Sequence, residues 1–269
     1  MPGTETARRA LIQLARESTL AGRWPIVLPD DLPSVDVLTG SRSATLALLR
    51  DLTQANQLQR IRRGAYIMRD ETGVFKTDLF QLIDAITAPP YLITAGRALA
   101  AHELSDQYFR QAIVLVPTSR RSFIWRGDQV RYALLARSRI WGRQGRKGPS
   151  VAGAERALLD SMAHREWGVT LSQSAQALDI ALSRDSRFAG TLAAAASRYR
   201  NAAMARRLGY LVQAIADESA AAPFRSLTGP SKAATLLDKS GPQRGPIDSA
   251  WGVRVNVELE DLFAHRIIG

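Results

Sequence analysis

No cysteine occurs anywhere in this sequence, which excludes a disulfide framework, a thiolate zinc site and a thiol nucleophile. Histidine is almost as scarce. His102, His164 and His265 are far apart in the chain, and their spacing matches no metal-ligand motif. The signatures of phosphate chemistry are also missing. Gly40-Ser41 is not followed by the Asp-x-Asp that a metal-dependent nucleotidyltransferase needs to hold Mg²⁺. The glycines of 142–148 are spaced G-x-x-G-x-x-G, but no P-loop lysine–hydroxyl pair follows them, and no G-x-S-x-G elbow is present. Glu155 and Asp160 lie five residues apart and share a helical face poorly; Glu155 fits better as a dipole-stabilising residue early in its helix. The expectation is a non-catalytic protein with no cofactor and no metal. No apolar run approaches the length of a membrane span. The opening Met-Pro-Gly-Thr-Glu-Thr lacks the basic and apolar regions of a signal peptide. A cytoplasmic protein with no membrane partner is expected.

Lysine is the other scarcity. Of 36 basic residues only 4 are lysine, and the rest are arginine. Two causes produce such a bias. Guanidinium forks pair with phosphate and with guanine edges, and a GC-rich genome favours Arg and Ala codons whatever the function. The formal net charge is +11 and the pI near 10.7, so a polyanionic partner is the natural inference. Charge is densest at 120–147, where nine basic residues face the single Asp128 and Trp125, Tyr132 and Trp141 are interleaved. Arg120, Arg121, Arg126, Arg131, Arg137 and Arg139 form a candidate basic surface, either for a protein partner or for extended DNA contact. The competing explanation is a solvated face over aromatic core.

Residues 41–69 carry the most specific pattern. Thr45, Leu48, Leu49 and Leu52 recur at helical spacing and make one apolar stripe. At about 100° per residue, Ser43, Ala47, Arg50 and Gln54 cluster on the opposite side. Short polar groups, a guanidinium and an amide suit a helix lying in a major groove. Leu58-Gln59-Arg60-Ile61-Arg62 then alternates as a strand does, Gly64 permits a tight turn, and Ala65-Tyr66-Ile67-Met68 returns. Upstream, 7–21 reads as a first helix with Ala10, Leu11, Leu14 and Ala15 on one face. Residues 30–38 form a short segment interrupted by Pro33, and Thr39-Gly40-Ser41 forms a turn. Helix, short helix, turn, helix and hairpin is the order of a winged helix-turn-helix. In that reading Ser43, Arg50 and Gln54 read bases. Ser41, Arg42, Arg60, Arg62, Arg63 and Gly64 supply the turn, the wing tip and the phosphate or minor-groove grip. The plainer alternative is an ordinary helix–hairpin unit with a solvated basic turn.

A boundary is expected at 73/74, giving a DNA-binding domain over 1–73 and a larger mixed domain over 74–269. The second domain opens with a helix from about 77, carrying Leu79, Leu82, Ile83 and Ile86 in register and ended by Pro89-Pro90. Strands are expected at 91–94, 113–116, 122–125 and 129–136, with a helix at 97–104 and a flexible basic loop at 142–149. Alanine-rich helices follow at 154–162, 172–182, 186–199 and 201–216. A loop region surrounds a short helix near 232–237, and 251–257 alternates as a strand. The fold class is α+β: an N-terminal winged helix, then a small sheet with several helices around it.

Several stretches together resemble the AbiEi-type antitoxins of type IV toxin–antitoxin pairs. They are R-I-R-R-G-A-Y-I-M at 60–68, P-Y-L-I-T-A-G-R-A-L-A-A-H-E-L at 90–104 and I-V-L-V-P-T-S-R-R at 113–121, then A-E-R-A-L-L-D at 154–160, R-R-L-G-Y-L at 206–211 and W-G-V-R-V-N at 251–256. They cover most of the chain in family order. Ala154 and Ala157 depart from the family's P-E-R-T-L-L-D. The resemblance implies a winged helix that binds operator DNA, with inverted repeats as its expected form. It also implies a C-terminal domain that neutralises a nucleotidyltransferase-like toxin, with direct contact left open. The alternative is a plain winged-helix repressor whose C-terminal domain senses a ligand or partner.

Overall fold

The computed structural model describes residues 2–20, 26–27, 32–62, 64–69, 73–74, 77–145, 147–230 and 233–264. The architecture is mixed α+β, with small sheets among many helices. Two compact units emerge. One comprises Met1–Tyr91, Arg120–Val130 and Gly145–Ser150, and the other Leu92–Ser119, Arg131–Gln144 and Val151–Gly269. Among the described residues no helix is long and apolar enough to cross a membrane.

The first unit begins with α1 (Pro2–Leu20), β1 (Ile26–Val27), α2 (Leu32–Thr39) and α3 (Arg42–Gln54). Pro33 stands in the first turn of α2, where its missing N–H leaves no helical bond unmade. The chain continues as β2 (Leu58–Arg62), β3 (Ala65–Met68) and α4 (Leu79–Ile86). The sheet order is β1-β3-β2, both pairings antiparallel. Its core is Ala7, Leu11, Val35, Leu48, Leu49, Leu52, Leu58 and Tyr66, so the stripe read in 45–52 faces inward. The sequence-derived boundary at 73/74 falls inside this unit. Helix α4 belongs to it, and Arg62 Nη2 donates to the Ile86 carbonyl at 2.7 Å. A guanidinium there satisfies one of the orphan carbonyls at a helix C-terminus and meets the negative end of its dipole.

The second unit opens with β4 (Leu92–Thr94), α5 (Gly96–Ala101) and β5 (Gln111–Val116). Next come β6 (Phe123–Trp125) and β7 (Asp128–Leu134), whose hairpin residues Arg120–Val130 group with the first unit. Four helices follow: α6 (Ala154–Ala163), α7 (Leu171–Arg184), α8 (Phe188–Tyr199) and α9 (Ala202–Ile215). They pack around α6 and bury its Ala157, Leu158, Leu159 and Met162. Thr170 and Gln173 close a capping box on α7, and Asn201 caps α9 through the Met204 amide.

The polar heart of this unit is Asp160, which is fully buried. It accepts hydrogen bonds from Thr94 Oγ1 at 2.6 Å, Arg156 Nε at 2.8 Å and the Tyr199 hydroxyl at 3.0 Å. Burial and the Asp160 charge push the Tyr199 phenol well above its ordinary range, so it stays a donor.

The C-terminal part departs from the sequence expectation. The end of the segment expected to be a helix near 232–237 is a strand, β8 (Thr235–Leu236). With β9 (Ile247–Asp248) and β10 (Val253–Arg254) it forms a small sheet ordered β8-β10-β9, which follows α10 (Glu218–Arg225) and precedes α11 (Leu259–Leu262). The alternating 251–257 segment pairs only at Val253–Arg254. Asn256 ends the pairing by donating to the Asp238 and Pro242 carbonyls and accepting from the Asp238 amide. Trp251 leaves the strand to pack on α9. Its indole Nε1 donates to Gln213 Oε1 at 2.7 Å, and Arg225 lies over its ring at 4.4 Å. A Cβ on Gly209 would stand 2.1 Å from that ring. Gly209→Ala is therefore expected to lower stability by about 1–3 kcal/mol or more through overpacking. A thermal melt unchanged within a degree would show that Trp251 can move aside.

Candidate nucleic-acid interface

The candidate surface starts from how α2 and α3 are joined. Gly40 takes a left-handed φ of 81°, which closes the turn between the helices. Ser41 then caps α3, its Oγ accepting from the Ala44 amide at 3.2 Å. The hydroxyls of Thr39 and the buried Thr45 hydrogen-bond at 2.7 Å and fasten the last residue of α2 to the first turn of α3. With Thr45, Leu48, Leu49 and Leu52 buried, the opposite side of α3 presents Ser43, Arg50 and Gln54 to solvent. Leu46, half exposed, lies on the same side, and Val37 of α2 is more exposed still. Neither apolar residue stood out in the sequence. Uncovered apolar contact of this kind suits the methyl group of thymine.

The residues expected at the surface are not all free. Arg42 is tied back to Asp36 of α2 at 3.2 Å. Among the described residues Arg50 has only a long 3.8 Å approach to its neighbour Asp51, and both side chains are largely exposed. Arg60 is exposed. Arg62, expected at the tip of the β2–β3 hairpin, instead holds the end of α4, and that engagement takes it out of the set of available cations. A bulge at Ile61 precedes it, and Gly64 turns the chain with a φ of 75°. Arg63 lies outside the described residues.

A second hairpin joins the first unit from far along the chain. Strand β6 packs on β2. Arg126 and Gly127 both take positive φ, 52° and 85°, as the two central residues of a tight hairpin turn do. Arg126 lies 5.3 Å from the ring of Trp125, which is buried. Arg121 and Arg126 are exposed and Arg120 is half-buried, and none of the three forms an ion pair among the described residues.

The basic stretch at 120–147 is divided between the two units. Arg120, Arg121 and Arg126 belong to the first unit, while Arg131, Arg137 and Arg139 belong to the second. There Arg131 donates to the Glu166 carbonyl at 2.9 Å, and Arg137 and Arg139 are exposed. Sequence separation hid this division, since a strand running from one unit into the other reads as one continuous segment. Two of the histidines have partners within the second unit. His102 Nε2 meets the Ala152 carbonyl at 2.7 Å, and His164 stacks on Trp167 and pairs with Glu166 at 3.1 Å. His265 lies outside the described residues.

No family model matches this chain, and no curated protein sequence does. Among solved structures it is similar to the RV2827C protein from Mycobacterium tuberculosis, with a TM-score of 0.66 over 98% of this chain and 94% of that one. The two sequences are 14% identical, so the likeness is one of fold, and it extends over nearly the whole of both chains.

Proposed function

We propose that the first unit is a winged helix-turn-helix that binds operator DNA, and that the protein is an AbiEi-type antitoxin repressing its own operon. The observation that carries this reading is the exposed face of α3, where Ser43, Leu46, Arg50 and Gln54 stand opposite a buried stripe. Two hairpins bearing Arg60, Arg120, Arg121 and Arg126 sit in the same unit. One element offers base-reading groups and the neighbouring ones offer phosphate-binding cations, which is the division of labour in major-groove recognition. The antitoxin part rests on the sequence motifs. It assigns neutralisation of a nucleotidyltransferase-like toxin to the second unit.

The test is fluorescence anisotropy on the DNA upstream of the gene, with growth under an induced neighbouring toxin alongside. Arg50→Ala is expected to relax base preference at one position per half-site, by about 1–3 kcal/mol. Uniform loss across operator variants would make Arg50 a phosphate clamp. No binding to upstream DNA by the intact protein would end the reading. A second reading, a repressor whose second unit senses a ligand, is favoured by one observation: a cleft in that unit lined with arginines.

A further inference from the structure

The cleft lies at the end of α8 and measures about 790 Å³, a size typical of small-molecule sites. Arg139, Arg156, Arg198 and Arg200 line it together with Trp141 and Tyr199. Among the described residues no acidic side chain lines it. Arg139, Arg198 and Arg200 form no ion pair among the described residues. Asp160 offsets only one of the four charges. It lies behind Arg156, holding its Nε at 2.8 Å, while Arg156 Nη1 is held by the Arg139 carbonyl at 2.9 Å. Arg156 itself is among the residues that line the cleft, and its hydrogen bonds engage Nε and Nη1, which leaves Nη2 for a group that enters.

Two rings gather these cations. Arg156 and Arg198 lie over Trp141 at 4.6 and 4.5 Å, and Arg156 and Arg139 lie over Tyr199 at 5.2 and 6.0 Å. Converging guanidiniums repel one another, and the aromatic faces offset only part of that. Arg200 adds a backbone observation. It ends α8 in the left-handed region, with φ 58° and ψ 53°, where glycine is the unstrained residue. A strained, charged residue at the rim of a cationic cleft points to work done by its side chain.

We propose that this cleft binds the phosphate chain of a small anion, as carried by a nucleoside triphosphate or by inorganic pyrophosphate. Arg156 is 97% buried, so only a group that enters the cleft reaches it, which the convex backbone of a duplex does not do. Trp141 is already stacked by the protein's own guanidiniums, so recognition falls on phosphate rather than on the base. Ser138 and Ser197, also in the lining, add hydroxyl donors. The inference is independent of the DNA-binding reading, since every residue in it belongs to the second unit.

The experiment is isothermal titration calorimetry of the full chain with pyrophosphate, ATP, CTP and adenosine at low ionic strength. One saturable site is expected for pyrophosphate, ATP and CTP, with ATP and CTP within about threefold and adenosine silent. ATP binding more than tenfold tighter than pyrophosphate identifies a nucleotide as the source, and equal affinities identify the inorganic anion. Arg198→Ala and Arg200→Gly are each expected to weaken binding about tenfold or more, the loss of one charge-assisted contact. Arg200→Gly also relieves the left-handed strain, so its melting temperature should be unchanged or higher, which separates lost binding from lost folding. Absence of saturable binding by pyrophosphate and ATP overturns the proposal. So does full affinity retained by Arg200→Gly. A duplex whose binding falls in Arg200→Gly while pyrophosphate binding holds would assign the cleft to DNA.

Discussion

Replacing Arg120, Arg121 and Arg126 together by alanine is expected to weaken DNA binding to all sequences and to flatten its salt dependence by up to about 2.7 units. Each phosphate contact contributes a slope of roughly −0.9 in log K against log salt, and these three cations sit on the hairpin that packs against β2. Affinity should fall by two orders of magnitude or more at low salt, while the ratio of operator to random DNA changes little, because phosphate contacts position and do not read. Arg62→Ala behaves differently. Its guanidinium holds the Ile86 carbonyl, so its loss should loosen α4 and lower stability without reducing the salt slope by a full unit. Anisotropy titrations at four salt concentrations separate the cases. A slope unchanged in the triple variant would show that the second hairpin does not reach DNA. A full unit lost in Arg62→Ala would show that it leaves α4 on binding.

The contrast between Arg62 and Arg126 shows what the sequence makes legible. The β2–β3 hairpin is fixed locally, by alternation and a glycine turn, so its strands could be read residue by residue. Whether a tip arginine is free depends on what packs beside it, and Ile86 is 24 residues away. Helix α3 was legible on both faces because a short apolar period leaves one assignment for the buried side. The exposure of Leu46 and Val37 was not, since a leucine or valine next to an apolar stripe reads as part of it. The 120–130 hairpin shows the same limit on a larger scale: its strands follow from the local pattern, but its membership in the first unit follows from a long-range contact with β2. Near the C-terminus, 235–236 became a strand because β10 was there to pair with it in parallel, and local propensity carries no trace of a parallel partner.

Asp160 is where the expected stability effect is largest. In the sequence, Arg156 and Asp160 stand four apart on a helix, a spacing that on most helices marks an exposed pair worth little. Here the side chains are 3% and 0% exposed, which reverses the energetics. Asp160→Ala leaves a nearly inaccessible guanidinium without its counter-ion and strips acceptors from Thr94 and Tyr199. Breaking a buried pair by removing one partner costs about 3–5 kcal/mol, a large share of the roughly 5–15 kcal/mol by which domains are stable. Urea unfolding followed by circular dichroism should place the second unit's transition at much lower denaturant. Because the chain has two units, that transition must be separated from the first unit's before a free energy is assigned. The double variant Arg156→Met, Asp160→Asn removes both charges and keeps an amide oxygen for Thr94 or Tyr199. It should be more stable than Asp160→Ala alone, since an uncompensated buried charge is worse than none. A loss below about 1 kcal/mol for Asp160→Ala would mean that water reaches Arg156 from the cleft and solvates it, and the pair would then be no keystone of this unit.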